Sequence, residues 1–170
     1  MASLMEELLT TMNSEQALYQ QLSEMALEKK EIIIHGQVDL LDAISVKEQG
    51  VADNLKQLEK RRHNLLISIA DVTGLNKDDV TVTKIIEKLS GRPEDQQALT
   101  SARDSLVEIA SKMQFLNDQN QILLQQSLEL VDFDLTLMKS MRQAPVTANY
   151  NRNAMDTGTV LPSSGFDAKQ

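Results

Sequence analysis

Residues 99–141 read LTSARDSLVEIASKMQFLNDQNQILLQQSLELVDFDLTLMKSM, forty-three positions without a glycine or a proline. Leu99, Ala102, Leu106, Ile109, Met113, Leu116, Leu123, Leu130, Leu137 and Met141 recur at steps of three and four. That spacing lays one apolar stripe along one face of a long helix. Asn120, Ser127 and Asp134 interrupt it. A second row, Leu124, Leu128, Val131, Leu135 and Met138, runs beside it in the second half. The stripe predicts a core seam along the whole helix. The second row predicts a binding face confined to the second half, since a helix apolar on two sides needs something beyond its own bundle to cover it.

Working outward, the segment before this stretch supplies the helix start. Gly91-Arg92-Pro93 breaks the chain, and Pro93 suits a first helical turn because its missing N–H is not needed there. The helix can run to about Arg142, where Ala144-Pro145 stops it. At 1.5 Å per residue it would span about 70 Å, so that one end would project beyond shorter neighbours. Further back, Leu4, Leu8, Met12, Leu18, Leu22, Met25 and Ile32 form a first stripe, opened by the capping-box pattern Ser3-Leu4-Met5-Glu6 and closed by Gly36. Asp39 is placed to cap a second helix. Its seam is Leu41, Ile44, Val51, Leu55, Leu58, Leu65 and Ile69, with Glu48 and Arg62 as polar exceptions, Gly50 inside, and Gly74 with Leu75 at its end. Two such helices joined by so short a link must lie antiparallel. After a polar loop, Asn76 to Val80, Thr81 or Thr83 can cap a short helix bearing Ile85, Ile86 and Leu89. The expected fold is all-α: an elongated antiparallel bundle of three long helices plus one short helix, residues 1–142. Residues 143–170, rich in Thr, Asn, Gly, Pro and Ser without periodicity, are expected to form a flexible tail, with Tyr150 and Phe166 as candidate recognition points.

Composition narrows the functional classes. The net charge is −8, which argues against nucleic acid and against an anionic membrane surface, both of which select Lys and Arg. Cysteine is absent, so disulfides and thiolate chemistry are excluded. No apolar run approaches a membrane span, and the first residues lack a secretory pattern. These features lead to the expectation of a soluble cytoplasmic protein. The two histidines, His35 and His63, each follow a glutamate by one turn, Glu31 and Glu59, but two ligands are too few for a metal. Asp132 and Asp134 diverge on a helix, Asp78-Asp79 lacks a calcium-loop glycine, and Lys60-Arg61-Arg62-His63 points in four directions. No phosphate-binding glycine loop or nucleophile elbow occurs. Neither enzymatic activity nor a cofactor or metal is expected.

The amide-rich segment Leu116-Asn117-Asp118-Gln119-Asn120-Gln121 is the odd element, because asparagine is a poor helix former. Two readings stay open. Asn120 is a buried polar contact that fixes helix register, or Asn117 and Asn120 edge an apolar groove that accepts a partner helix. In the second reading Ile122, Leu123, Leu124, Leu128, Leu130, Val131 and Leu135 are the anchors. The run Leu116-Asn117-Asp118-Gln119-Asn120-Gln121-Ile122-Leu123-Leu124-Gln125-Gln126-Ser127-Leu128 follows a helical hairpin and a short helix. With Tyr150 and the closing Phe166-Asp167-Ala168-Lys169, it resembles the FlgN family of flagellar export chaperones. The resemblance implies a cytoplasmic chaperone of the flagellar type III secretion system. It would bind helix-prone C-terminal segments of the hook–filament junction proteins FlgK and FlgL, prevent their premature assembly, and dock on the export gate protein FlhA through Tyr150. A coiled-coil scaffold or adaptor that self-assembles is the alternative. It would bury the second row in a symmetric pairing of its own copies.

Overall fold

The computed structural model describes residues 2–143. The chain divides into two units, Met1–Asp132 and Phe133–Gln170. Four α-helices and one 3₁₀ turn follow in order: α1 Ala2–Ile34, α2 Val38–Thr73, the turn Lys77–Asp79, α3 Val82–Lys88 and α4 Pro93–Arg142. The expectations for the tail, Tyr150 and Phe166 lie outside the described residues.

In the first unit α1 and α2 form an antiparallel hairpin. Polar partners across it fix the register: Glu15 meets Arg62, Tyr19 meets Glu59, and Lys29 meets Glu48. As the α1 number rises the α2 number falls in step. The link is short because Gly36 adopts a left-handed backbone, φ 63°, open to glycine without strain. Its N–H bonds to Ile33 and that of Gln37 to Ile32, which closes the last turn of α1 and satisfies otherwise orphaned carbonyls. Gly74, φ 71°, ends α2 in the same way. Leu75 follows it, bonded to the Ala70 carbonyl and packed on the core.

Two helix starts differ from the sequence expectation. α1 already includes Ser3, and a residue with helical backbone angles does not act as an N-cap. α2 begins at Val38 with Gln37 in the capping position, without a side-chain bond. The glycine turn delivers the chain directly into the helix, and Asp39 lies in the first turn, where its carboxylate complements the helix dipole. Thr81, rather than Thr83, caps α3, its hydroxyl accepting the Lys84 N–H at 3.2 Å.

The core gathers where the start of α1, the end of α2, α3 and the start of α4 meet. Met5, Leu8 and Met12 pack with Leu65, Leu66 and Ile69, with Ile85, Ile86 and Leu89, and with Leu99. Each buried aliphatic side chain of this kind contributes about 2 kcal/mol. From there α4 runs alongside α1 in the same direction: Leu99 lies in the cluster with Leu8, and Asn120 hydrogen-bonds to Ala26. The buried residues of α4 are Leu99, Ile109, Leu116 and Asn120. Among the described residues none after Asn120 is buried. The seam expected along all of α4 therefore ends early. Leu130 is 61 % exposed in the first unit, and in the second unit Leu137 and Met141 are exposed as well. α4 has 50 residues against 33 in α1, and the apolar period continues past the last buried position.

Gly50 sits inside α2 with nothing within 4 Å of an added Cβ. Glycine in a helix interior costs about 1 kcal/mol relative to alanine. Gly50→Ala is expected to raise the unfolding free energy by about that amount in urea titration, with an unchanged m-value.

Candidate functional site

The residues singled out on α4 divide by environment. Asn120 is 4 % exposed. Its Nδ2 donates to the Ala26 carbonyl of α1 at 2.7 Å, while its Oδ1 has no partner among the described residues. Asn120 is thus the register contact between α4 and α1. Asn117, one turn earlier, is exposed and lines a groove of about 390 Å³ with Leu22, Ala26, Lys29 and Met113. The two asparagines do not form one surface.

Beyond Asn120 the side chains open progressively. Leu123 and Leu124 are half-buried. Leu128 is 60 % and Val131 53 % exposed, and Ile122 is exposed on the far side. Ser127, one of the gaps in the stripe, donates its hydroxyl to the Leu123 carbonyl at 2.9 Å within the helix. In the second unit Phe133, Leu135, Leu137 and Met138 are exposed. Phe133 lies off both rows and was not among the sequence candidates. Ring size was its only signal. Isolated exposed apolar residues are ordinary, whereas a run of them on one helix calls for an explanation.

The polar groups between α1 and α2 have a structural role. Glu15 is fully buried, and both its carboxylate oxygens accept from Arg62 Nε, at 3.0 and 2.9 Å. Burial pushes the Glu15 carboxyl above its ordinary value, and Arg62 opposes that shift. Tyr19 donates its hydroxyl to Glu59 at 3.0 Å. Burial first, then this bond, push the phenol up to about 12. Lys29 and Glu48 pair at 2.6 Å. Glu48 and Arg62, the polar exceptions in the α2 seam, are therefore cross-hairpin partners. His35 Nδ1 lies 2.7 Å from the Glu31 carbonyl at the end of α1, and His63 is exposed. Among the described residues no group of three or more His, Cys, Asp or Glu is placed to hold a metal ion. No described helix is long and apolar enough to cross a membrane.

The fold is thus an all-α helical hairpin that carries a third, longer helix, held to α1 at Asn120. The model of the FlgN protein family matches residues 1–158. The chain belongs to the FlgN family, and membership implies a flagellar export chaperone role. Neither the curated proteins nor the solved structures give a match.

The Tyr19 hydroxyl has a pH consequence. The folded state holds the phenolic proton more tightly than the unfolded chain, whose value is near 10.0. Stability from this group is thus complete below pH 10 and lost as pH rises towards about 12. Tyr19→Phe is expected to remove that alkaline loss and to cost about 1 kcal/mol at neutral pH. Urea unfolding at several alkaline pH values, followed by circular dichroism, checks both.

Proposed function

We propose that this chain binds the C-terminal helical segments of the junction proteins FlgK and FlgL, keeps them from assembling early, and delivers them to the export gate protein FlhA. In this reading residues 1–142 are the chaperone domain, residues 143–170 the tail, and the protein works in the cytoplasm. Tyr150 in the tail is the gate contact. The observation that carries the reading, beside family membership, is the exposure of Leu128, Val131 and Leu135 on an otherwise well-formed helix.

An assembly interface held unassembled exposes one apolar face. An amphipathic helix can lay that face along anchors spaced three and four residues apart. Leu124, Leu128, Val131 and Leu135 have that spacing. Covering each adds about 1–2 kcal/mol, and ordering the captured segment costs about 2–5 kcal/mol. The balance favours a reversible complex, which suits a chaperone that must release its cargo without ATP. Leu123 supports the row from its half-buried position, Asn117 offers a hydrogen-bonding edge, and Asn120 holds the start of the row against α1.

The test is isothermal titration of the full chain with the FlgK C-terminal segment. Leu128→Asp with Val131→Asp is expected to weaken capture by at least about 100-fold, because two charges would be desolvated in an apolar contact. Far-UV circular dichroism should stay unchanged, since both side chains are exposed. Tyr150→Ala should keep FlgK affinity and reduce FlhA binding. Undiminished capture by the Asp variant, or a parent chain that only self-associates, would overturn the proposal.

A further inference from the structure

We propose that Met138 and Met141, near the end of α4, form a peroxide-modification site whose oxidation turns an apolar face polar. The site lies wholly within the second unit. Its chemistry does not depend on the function proposed above; only its effect on cargo capture rests on that reading.

The chain has eight methionines and no cysteine. Methionine sulfur therefore faces no thiolate as a competitor for a peroxide. The fold sorts the methionines by access. Met5 and Met12 are 2 % exposed, inside the four-helix cluster, and Met25 and Met113 are half-buried. Met138 is 53 % and Met141 70 % exposed. The oxidant must reach the sulfur, so the two distal residues react from the folded state. Met5 and Met12 react only when the core opens.

The neighbours give the reaction a consequence. Leu135 stands three positions before Met138, and Leu137 four before Met141, so each sulfur shares a helix face with an aliphatic side chain. Phe133, Leu135 and Leu137 are exposed as well. A thioether among them is a flexible apolar contact that adapts to whatever covers the face. In the reaction the sulfur attacks one peroxide oxygen. An S–O bond forms, the O–O bond breaks, the sulfur gives up an electron pair, and the other oxygen leaves as water. The product is a polar sulfoxide. An apolar partner covering it would strip water from that oxygen and offer no donor in return. Sulfoxide reductases working with a dithiol reverse the step: the oxygen departs as water and the dithiol closes to a disulfide. The chain has no cysteine to act as that dithiol, so the reductant comes from outside.

The test treats the full chain with hydrogen peroxide, natively and in urea, and locates sulfoxide by peptide mass mapping. Natively, Met138 and Met141 are expected to react at least about ten-fold faster than Met5 and Met12; in urea all four should react at one rate. The native product should elute earlier from a hydrophobic-interaction column with unchanged far-UV circular dichroism. Sulfoxide reductases with dithiothreitol should restore its elution. Met138→Leu with Met141→Leu should lose much less retention under the same treatment. Isothermal titration with the FlgK C-terminal segment reads the effect on capture. Oxidation should weaken binding by the parent about ten-fold, the worth of covering one methionine side chain, and should cause no such loss in the Leu variant. An untreated parent that does not bind FlgK counts against the function proposed above, and the rate order and elution then decide the site alone. Equal native rates at Met5 and Met138, unchanged elution, an equal loss of retention in the Leu variant, or undiminished FlgK binding after oxidation would each overturn the assignment.

Discussion

The apolar cluster shared by α1, α2, α3 and α4 is the constraint on which the first unit depends. There four helices contribute to one buried group, with Leu8, Ile69 and Leu99 at zero exposure. α3 has seven residues, far too few to be stable alone. It exists because Ile85, Ile86 and Leu89 close the cluster and Thr81 supplies its first turn with an acceptor. α4 starts from the same place, through Pro93 and the bond from Gln96 Nε2 to the Ile86 carbonyl at 3.0 Å. Its direction alongside α1 follows from that anchor.

Away from the cluster, polar contacts take over the task of alignment. The Glu15–Arg62 pair adds little net stability, since desolving both charges offsets most of their attraction. It nonetheless penalises any hairpin register that separates them, because a lone buried carboxylate costs several kcal/mol. Tyr19–Glu59 and Lys29–Glu48 repeat the restraint further along, and Asn120–Ala26 does so between α4 and α1. Apolar seams of Leu and Ile tolerate sliding by one heptad; these four contacts do not.

Much of this was legible. Gly36 and Gly74 read as left-handed caps, Pro93 as a first-turn residue, and the Leu65–Ile69 and Ile85–Leu89 groups as core, because each signal is local. Glu15 was not. It stands in Asn13-Ser14-Glu15-Gln16, a run that looks solvated, and its partner lies 47 residues away in sequence. The end of burial at Asn120 was equally hidden. Periodicity reports which face of a helix is apolar, and Leu130 and Leu137 keep the period as faithfully as Leu116. It does not report whether a neighbour is present to cover that face. The choice between the two readings of Asn120 likewise needed the Ala26 carbonyl, since register contacts and groove edges use the same residue type.

Function then follows from the contrast between the two stretches of α4. Up to Asn120 the helix is held by the hairpin and the cluster; after it, aliphatic side chains stand open and a partner can take the place a core would fill. In the proposed function that opening is where the captured segment docks. Native-state amide hydrogen exchange of the full chain, with and without the FlgK C-terminal segment, tests this contrast most directly. In the free chain residues 99–120 should exchange slowly and residues 121–142 faster, and adding the segment should slow only the latter. Uniform protection along α4 in the free chain, or protection gained only before Asn120, would contradict the account.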